Sequence, residues 1–367
     1  MRLPTYDELA SVEEQLQVLE HPLDQSLFVA GPPGSGKTVL ALQRAQMMAE
    51  MREPVPIVTY NRMLRRLLAL MQDVDEVKPN TMHSFISRDY LSRTGEQPPS
   101  LPHDSYAYQW VVMLGRLKQI QSPLEDVHLV VDEGQDLPEG FFVYVSQHVS
   151  RTMTVFADDD QALSDRCTAL EQIKNAAGLS DPVILRENHR NAPEVALVAE
   201  HFHQGRLPAA EVHRRTIGEL PRLVHSPSTA ATADLVSNWS RTRGGSIGII
   251  VDRNEDTGTQ LHDQLVARLP NTRIDIYRSR SPNENRINVL ADGVTILNKK
   301  SVKGQEFDSV FVLELESFIP FANDAERRAM YMMCTRARDN LFLVHGPEPL
   351  SRLAAESLPG LDVLERS

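Results

Sequence analysis

The sequence predicts an α/β fold, mainly parallel sheets covered by helices, in a chain of 367 residues that is long enough for two domains. The first observation behind this is alternation. Strand-like apolar runs at 56–59, 127–131, 153–156, 183–185, 247–251, 293–297 and 310–315 are separated by helical patterns. The second is a Gly-rich loop, Gly31-Pro32-Pro33-Gly34-Ser35-Gly36-Lys37-Thr38, set between the apolar run Leu27-Phe28-Val29-Ala30 and a helical pattern over 39–48. The third is the run 127–131, which ends in Asp132-Glu133-Gly134-Gln135-Asp136. A hydrophobic content of 41% allows a packed core in each domain. The expected boundary lies near Asp181-Pro182, giving domains 1–180 and 181–367, the first with a short insertion at about 86–125.

The loop fits G-x-x-x-x-G-K-[ST] in its strand, loop and helix context. Backbone N–H groups of Gly31, Gly34, Ser35 and Gly36 are therefore placed to surround phosphate oxygens, with Pro32 and Pro33 shaping the turn. Lys37 is expected to reach the terminal phosphates, and the Thr38 hydroxyl to ligate magnesium, a cation that prefers oxygen ligands and keeps several waters. Asp132 is a metal ligand by position and Glu133 a candidate base for water. Together the two stretches read as halves of a nucleoside-triphosphate site, with ATP and Mg2+ as the expected cofactors.

Further residues fit the same chemistry. Asp158-Asp159-Asp160-Gln161 follows another strand, and the Gln161 amide can donate to a terminal phosphate while accepting from an attacking water. Arg190, in Asn188-His189-Arg190, and Arg336, in Thr335-Arg336-Ala337-Arg338, can stabilise charge on a transferring phosphoryl group from a second domain. Taken singly, each reads as a surface residue.

Composition narrows the partners. A net charge of −12 argues against a broad basic surface that coats duplex DNA, but leaves room for a local basic groove. Arg62, Arg65 and Arg66 fall at i, i+3 and i+4 on one helix face with leucines opposite, and Lys299-Lys300-Ser301-Val302-Lys303 is a second basic cluster. On charge alone, either reads equally as a solvated face. Two cysteines, Cys167 and Cys334, exclude a disulfide framework. The N-terminus lacks an apolar signal core, and no apolar run approaches the length that crosses a bilayer, so a cytoplasmic protein with no membrane partner is expected.

Taken in order, these segments resemble those of superfamily 1 helicases of the UvrD/Rep type, specifically the compact members of that group. The run comprises Gln15, Gly31 to Thr38, Val58-Thr59-Tyr60-Asn61, Thr81-Met82-His83-Ser84-Phe85, Asp132 to Asp136 and Asp158 to Gln161. It continues through Asn188-His189-Arg190, Val251-Asp252-Arg253-Asn254, Ser301 to Phe307 and Tyr331 to Arg338. The resemblance implies two RecA-like domains with ATP between them, Gln15 on the adenine edge and Glu306 near the ribose. It implies a single strand touching Thr59, Tyr60, Asn61, His83, Ser84, Arg253 and Lys300, with the Arg62 face beside it. Tyr60 can stack a base, worth roughly 1–3 kcal/mol, or pack at a strand end.

The sequence also departs from the family. His189 stands where members carry a Tyr that stacks on adenine, and Val39 where they often carry an Arg. The aromatic and Arg pair expected after Gln161 is replaced by Ala162-Leu163-Ser164-Asp165-Arg166, and both large insertions are reduced or missing. What remains of the first, around Tyr106 and Trp110, reads as a helix with both rings on one face, packed on the domain in preference to touching a partner or nucleic acid. The implied function is an ATP-dependent translocase or helicase on single-stranded nucleic acid, DNA ahead of RNA, with a protein partner supplying strand separation. The rival is a nucleic-acid-responsive ATPase switch that controls a partner nuclease or effector, as in anti-phage defence.

Overall fold

Short runs of buried aliphatic residues build two parallel sheets, each with helices packed on it. The protein is seen here in a computed structural model describing residues 4–51, 55–72, 74–158, 168–204, 209–214, 219–252, 255–278 and 283–366. It divides into two units, Arg2–Pro32 with Gly36–Arg186, and Glu187–Ser367 with Pro33–Ser35. Among the described residues, no helix is long and apolar enough to cross a membrane.

The first unit begins with α1 (Tyr6–Ala10), α2 (Glu13–Glu20), β1 (Leu27–Ala30), α3 (Lys37–Ala49), β2 (Val55–Thr59), α4 (Arg62–Met71), β3 (Val77–Thr81) and α5 (Met82–Thr94). It continues with β4 (Ser100–Leu101), β5 (Asp104–Tyr108), α6 (Trp110–Gln119), β6 (Glu125–Val131), α7 (Glu139–His148), β7 (Ser150–Ala157), α8 (Leu170–Ala177) and β8 (Val183–Ile184). The main sheet is parallel in the order β3-β2-β6-β7-β1-β8. All four residues of β1 are buried, the mark of a parallel strand covered on both faces. Phe28, Val58, Leu129, Val131 and Val155 from the strands meet Ile86, Tyr90, Met113, Phe141 and Phe142 from the helices in one core.

Two differences from the sequence reading have plain causes. β3 has the sequence Val-Lys-Pro-Asn-Thr and lies at the sheet edge, where a proline is tolerated because one side of the strand makes no ladder. The helix expected over Tyr106 and Trp110 starts only at Trp110, and Tyr106 sits in the antiparallel hairpin β4–β5. That hairpin is closed locally: Asp104 Oδ1 accepts the Tyr106 N–H at 2.9 Å and the Gln109 amide donates to the Ser100 carbonyl at 2.8 Å. The two rings therefore do not share a helix face. Trp110 packs against the core, and Tyr106 is 58% exposed.

The second unit contains β9 (Glu187–Asn188), α9 (Pro193–Glu200), β10 (Glu211–Val212), β11 (Arg222–His225), α10 (Thr229–Arg243), β12 (Ser246–Val251) and α11 (Glu255–Arg268). After these come β13 (Ile274–Ile276), β14 (Gly293–Asn298), β15 (Phe307–Val312), α12 (Asp324–Cys334), β16 (Ala337–His345), α13 (Arg352–Glu356) and β17 (Glu365–Arg366). Its main sheet runs β13-β14-β12-β15-β16-β11-β17, parallel throughout. Ile247, Ile249, Val294, Ile296 and the stacked pair Phe311 and Phe342, with ring centroids 4.3 Å apart, fill its core. The apolar run 310–315 is not all strand: β15 ends at Val312, and Leu315–Ser317 forms a 3-10 turn. β16 escaped the sequence reading because Arg338, Asp339 and Asn340 at its start are only half-buried, so its apolar signal begins at Leu341.

Candidate nucleotide site and strand-contact residues

The sheet order of the first unit arranges the candidate residues along one edge. At the carboxyl ends of the strands stand, in sequence across the sheet, His83 after β3, Tyr60 after β2, Asp132 after β6, Asp158 after β7 and Gly31 after β1. Ligands of open parallel sheets bind outside this edge, where loops are free to vary without disturbing the ladder.

The Gly-rich loop makes the turn from β1 into α3 with Gly34 at φ +84° and Gly36 at φ +90°, a region that side-chain-bearing residues rarely adopt. A Cβ on Gly36 would lie 2.9 Å from the Gln15 amide nitrogen, so Gln15 of α2 borders the loop. No side chain caps the start of α3, which leaves its first N–H groups available to an anion at the positive end of the helix dipole. Lys37 is 7% exposed, and its ammonium donates to the carbonyls of Gly31 at 2.7 Å and Pro32 at 2.8 Å, with Asp158 at 3.3 Å. The loop thus holds its own lysine at its centre.

Asp132 and Glu133 are both buried. Burial and the neighbouring Glu133 carboxylate push the Asp132 carboxyl well above the ordinary range, while the Thr38 hydroxyl and Lys37 pull the other way. Asp132 Oδ1 accepts the Glu133 N–H at 3.0 Å, and buried Oδ2 has no hydrogen-bond partner. A buried carboxylate oxygen left over beside a threonine hydroxyl fits a hydrated divalent cation. Glu133 takes φ +56°, left-handed for a residue with a side chain, a strain of the kind found at functional turns.

What holds Glu133 there is Gln135, to which the sequence analysis gave no role. Its amide donates to Glu133 Oε2 at 2.5 Å and its carbonyl oxygen accepts the Asp158 N–H at 2.9 Å, bridging the ends of β6 and β7. Arg44 is a second such residue. It is fully buried on α3, and its guanidinium donates to the carbonyls of Val18 at 2.7 Å and His21 at 2.8 Å, fastening the end of α2, and with it Gln15, to the loop helix. Burial lowers the Arg44 pKa to about 10. Carbonyl spacing has no signature in a sequence, so neither role was legible.

In the second unit Arg190, Glu306 and Arg336 gather at the amino edge of the sheet, before β15 and β16. Arg190 Nε donates to Glu306 at 2.6 Å, and buried Nη1 is without a hydrogen-bond partner. Arg336, placed by its sequence context to act on a phosphoryl group, is 1% exposed and turned into the unit. Its Nε donates to the Met332 carbonyl at 2.9 Å and its Nη2 to the Thr335 hydroxyl at 3.1 Å. Asn191 joins the two arginine turns: its amide donates to the carbonyls of Thr335, at 3.1 Å, and Ala337, and its N–H to Asn188 Oδ1 at 3.1 Å. Asn191→Ala is expected to destabilise the protein by about 1–3 kcal/mol, leaving those buried carbonyls unpaired. It should also lower kcat more than it raises KM. Melting and steady-state ATPase assays check both parts. His189 pairs with Glu187 at 3.2 Å, and its ring lies 5.3 Å from that of His213, which shares the same carboxylate.

The strand-contact candidates separate. Tyr60 is 43% exposed and Ser84 exposed, whereas Thr59 is fully buried at the end of β2. That corrects the sequence reading of Thr59: in a parallel strand covered on both faces, its side chain is buried whichever way it points. Asn61 Oδ1 accepts the Leu64 N–H at 2.6 Å and so caps α4. Arg62, Arg65 and Arg66 are half-buried on α4, with Met63, Leu64, Leu67 and Leu68 buried beneath, as the spacing predicts. The second basic cluster is smaller than it reads. Lys299 pairs with Asp252 at 2.6 Å and Lys303 is buried, which leaves Lys300 as the exposed member. Gln161 and Arg253 lie outside the described residues.

A Gly-rich loop between β1 and an uncapped helix, facing an Asp-Glu pair at the end of a strand in the same parallel sheet, defines a P-loop nucleotide-binding domain. Residues 15–166 match the AAA_19 family, described as an AAA domain. The matched stretch holds the Gly-rich loop and the Asp132-Glu133 pair. No curated protein matches it. Among solved structures it is similar to the C-terminal domain of a possible DNA helicase from Lactobacillus plantarum, with 23% identity, TM-score 0.36, and coverage of 48% of this chain and 98% of that one. It is similar also to the arterivirus nonstructural protein 10 helicase, alone (14% identity, TM-score 0.39) and in complex with DNA (12%, 0.40). The alignments cover 94% and 93% of this chain, which spans 65% of the length of the arterivirus protein. At such scores these likenesses carry no functional meaning.

Proposed function

We propose that the protein is a magnesium-dependent ATPase that moves along or remodels single-stranded nucleic acid, with DNA as its strand. The observation that carries this reading is the shared carboxyl edge of the first sheet, where the phosphate loop and Asp132-Glu133 stand beside the strand ends that present Tyr60 and His83. Thr38 and Asp132 would hold the cation, which supplies charge neutralisation at the β- and γ-phosphates. Lys37 would exchange its loop carbonyls for phosphate oxygens. Glu133, aimed by Gln135, would take the proton from an attacking water. Gln15 would meet the base from α2. Arg190 and Arg336 are proposed as the second unit's contribution to phosphoryl charge, Arg190 through its buried Nη1 and Arg336 after leaving its carbonyl partners.

The test is ATP turnover by the full chain with single-stranded DNA, single-stranded RNA and duplex DNA. Single-stranded DNA is expected to raise turnover most, and, by linkage, a strand that favours the ATP-loaded form should tighten ATP binding in return. Turnover indifferent to all three nucleic acids would remove the strand from the proposal and leave a stand-alone ATPase.

A further inference from the structure

The hairpin of β4 and β5 takes no part in the chemistry above, yet it presents the most exposed tyrosine ring in the vicinity of the strand-contact residues. Tyr106 is 58% exposed although its backbone is held on both sides. Its N–H donates to Asp104 Oδ1 at 2.9 Å, and its carbonyl lies 3.0 Å from His83 Nε2. The Tyr106 ring meets that of His83 at 5.0 Å with the planes 87° apart, and the Tyr60 ring lies 6.2 Å from the same imidazole. Tyr108 anchors the group. Its hydroxyl donates to the His83 carbonyl at 3.4 Å, and its ring leads through Trp110, at 5.5 Å, to Tyr144 in the core.

We propose that Tyr106 is a base-stacking contact for single-stranded nucleic acid, and that with Tyr60 and His83 it forms one aromatic platform on the first unit. Resting on the reading that a strand binds this edge, the inference adds a contact supplied by the insertion. A planar ring with a fixed backbone and two side-chain torsions loses little freedom when a base settles on it, and every base offers a π-face, so such a platform is tolerant of sequence. Charge gives the strand an orientation. Burial is the main influence that disfavours protonation of His83, Arg62 at the start of α4 lies close enough to add to it, and Arg65 and Arg66 follow on the same helix face. The acid that acts on the platform is Asp104, on the hairpin, its carboxylate engaged with the Tyr106 N–H. Phosphates are therefore drawn toward α4 and away from the hairpin, which turns the bases toward Tyr60 and Tyr106.

The experiment measures binding of the full chain to fluorescein-labelled oligo-dT and to an oligomer of equal length built from abasic residues, by anisotropy. Tyr106→Ala is expected to raise Kd for oligo-dT roughly 5- to 100-fold and to leave the abasic oligomer unchanged, because only stacking is lost. Tyr106→Leu, which keeps apolar bulk without a π-face, should lose as much, while Tyr106→Phe and Tyr106→Trp should bind like the parent. A Tyr106→Ala protein that binds oligo-dT within twofold of the parent overturns the inference, as does an equal loss on both oligomers. Failure of the parent itself to bind either oligomer sinks the strand reading as a whole, a result distinct from one confined to Tyr106.

Discussion

Glu133→Gln is expected to lower ATP turnover by about 10²- to 10⁴-fold while ATP binding persists, the size of effect that goes with loss of a general base. The exchange preserves shape and hydrogen-bonding reach. The turn that presents residue 133 is tied to β7 through Gln135, whose side-chain oxygen accepts the Asp158 N–H, and a glutamine oxygen can still accept from the Gln135 amide as Glu133 Oε2 does. What disappears is basicity at a buried carboxylate placed at φ +56°. Single-turnover hydrolysis and equilibrium binding of a fluorescent ATP analogue separate the two quantities. Unaltered turnover would take the base role away from Glu133, and loss of nucleotide binding would show that the carboxylate positions the loop and does not act on water.

Asp132→Asn should act in opposite directions on stability and activity. The carboxylate is buried beside Glu133 with Oδ2 unpartnered, and its pKa is raised by that burial. A raised folded-state value means that the native chain holds this proton longer than the unfolded chain. Stability is therefore lost as pH climbs from the ordinary carboxylate range through the raised value. The Asn variant has no such loss. At pH 8 it should melt above the parent by roughly 2–4 °C for each kcal/mol relieved, with the gap closing toward pH 4. Added Mg-ATP should reverse the order, since the parent alone keeps the carboxylate for the cation, and turnover of the variant should fall at least 100-fold. A variant no more stable than the parent at any pH would mean that Lys37 and Thr38 already compensate the charge in full.

The elements legible in the sequence were those whose chemistry is local. A Gly-x-x-x-x-Gly-Lys-Thr loop needs two left-handed glycines and a helix start, and all three are written consecutively, so the loop and α3 could be read directly. β6 and the Asp-Glu pair at its end were equally plain. The less legible residues act across sequence distance. Arg44 reaches carbonyls 23 and 26 positions away, and Asn191 reaches one 144 positions away, and no pattern in a chain announces which carbonyl will stand where. Thr59 was read by adjacency to Tyr60, but Thr59 is the last, covered residue of β2, while Tyr60 stands beyond the strand and is exposed. Tyr106 was assigned a helix by apolar spacing, whereas the segment closes as a hairpin in which Asp104 Oδ1 accepts the Tyr106 N–H.

The Asp132 N–H donates to the carbonyl of Val58 at 2.9 Å, which puts the proposed cation ligand a single hydrogen bond and two residues from Tyr60. A displacement of Asp132 by even a few tenths of an ångström, as a cation and triphosphate load or leave, must either stretch that bond or pull the end of β2 with it. The stiff ladder favours the second, so the grip on the polymer would be adjusted within this one sheet.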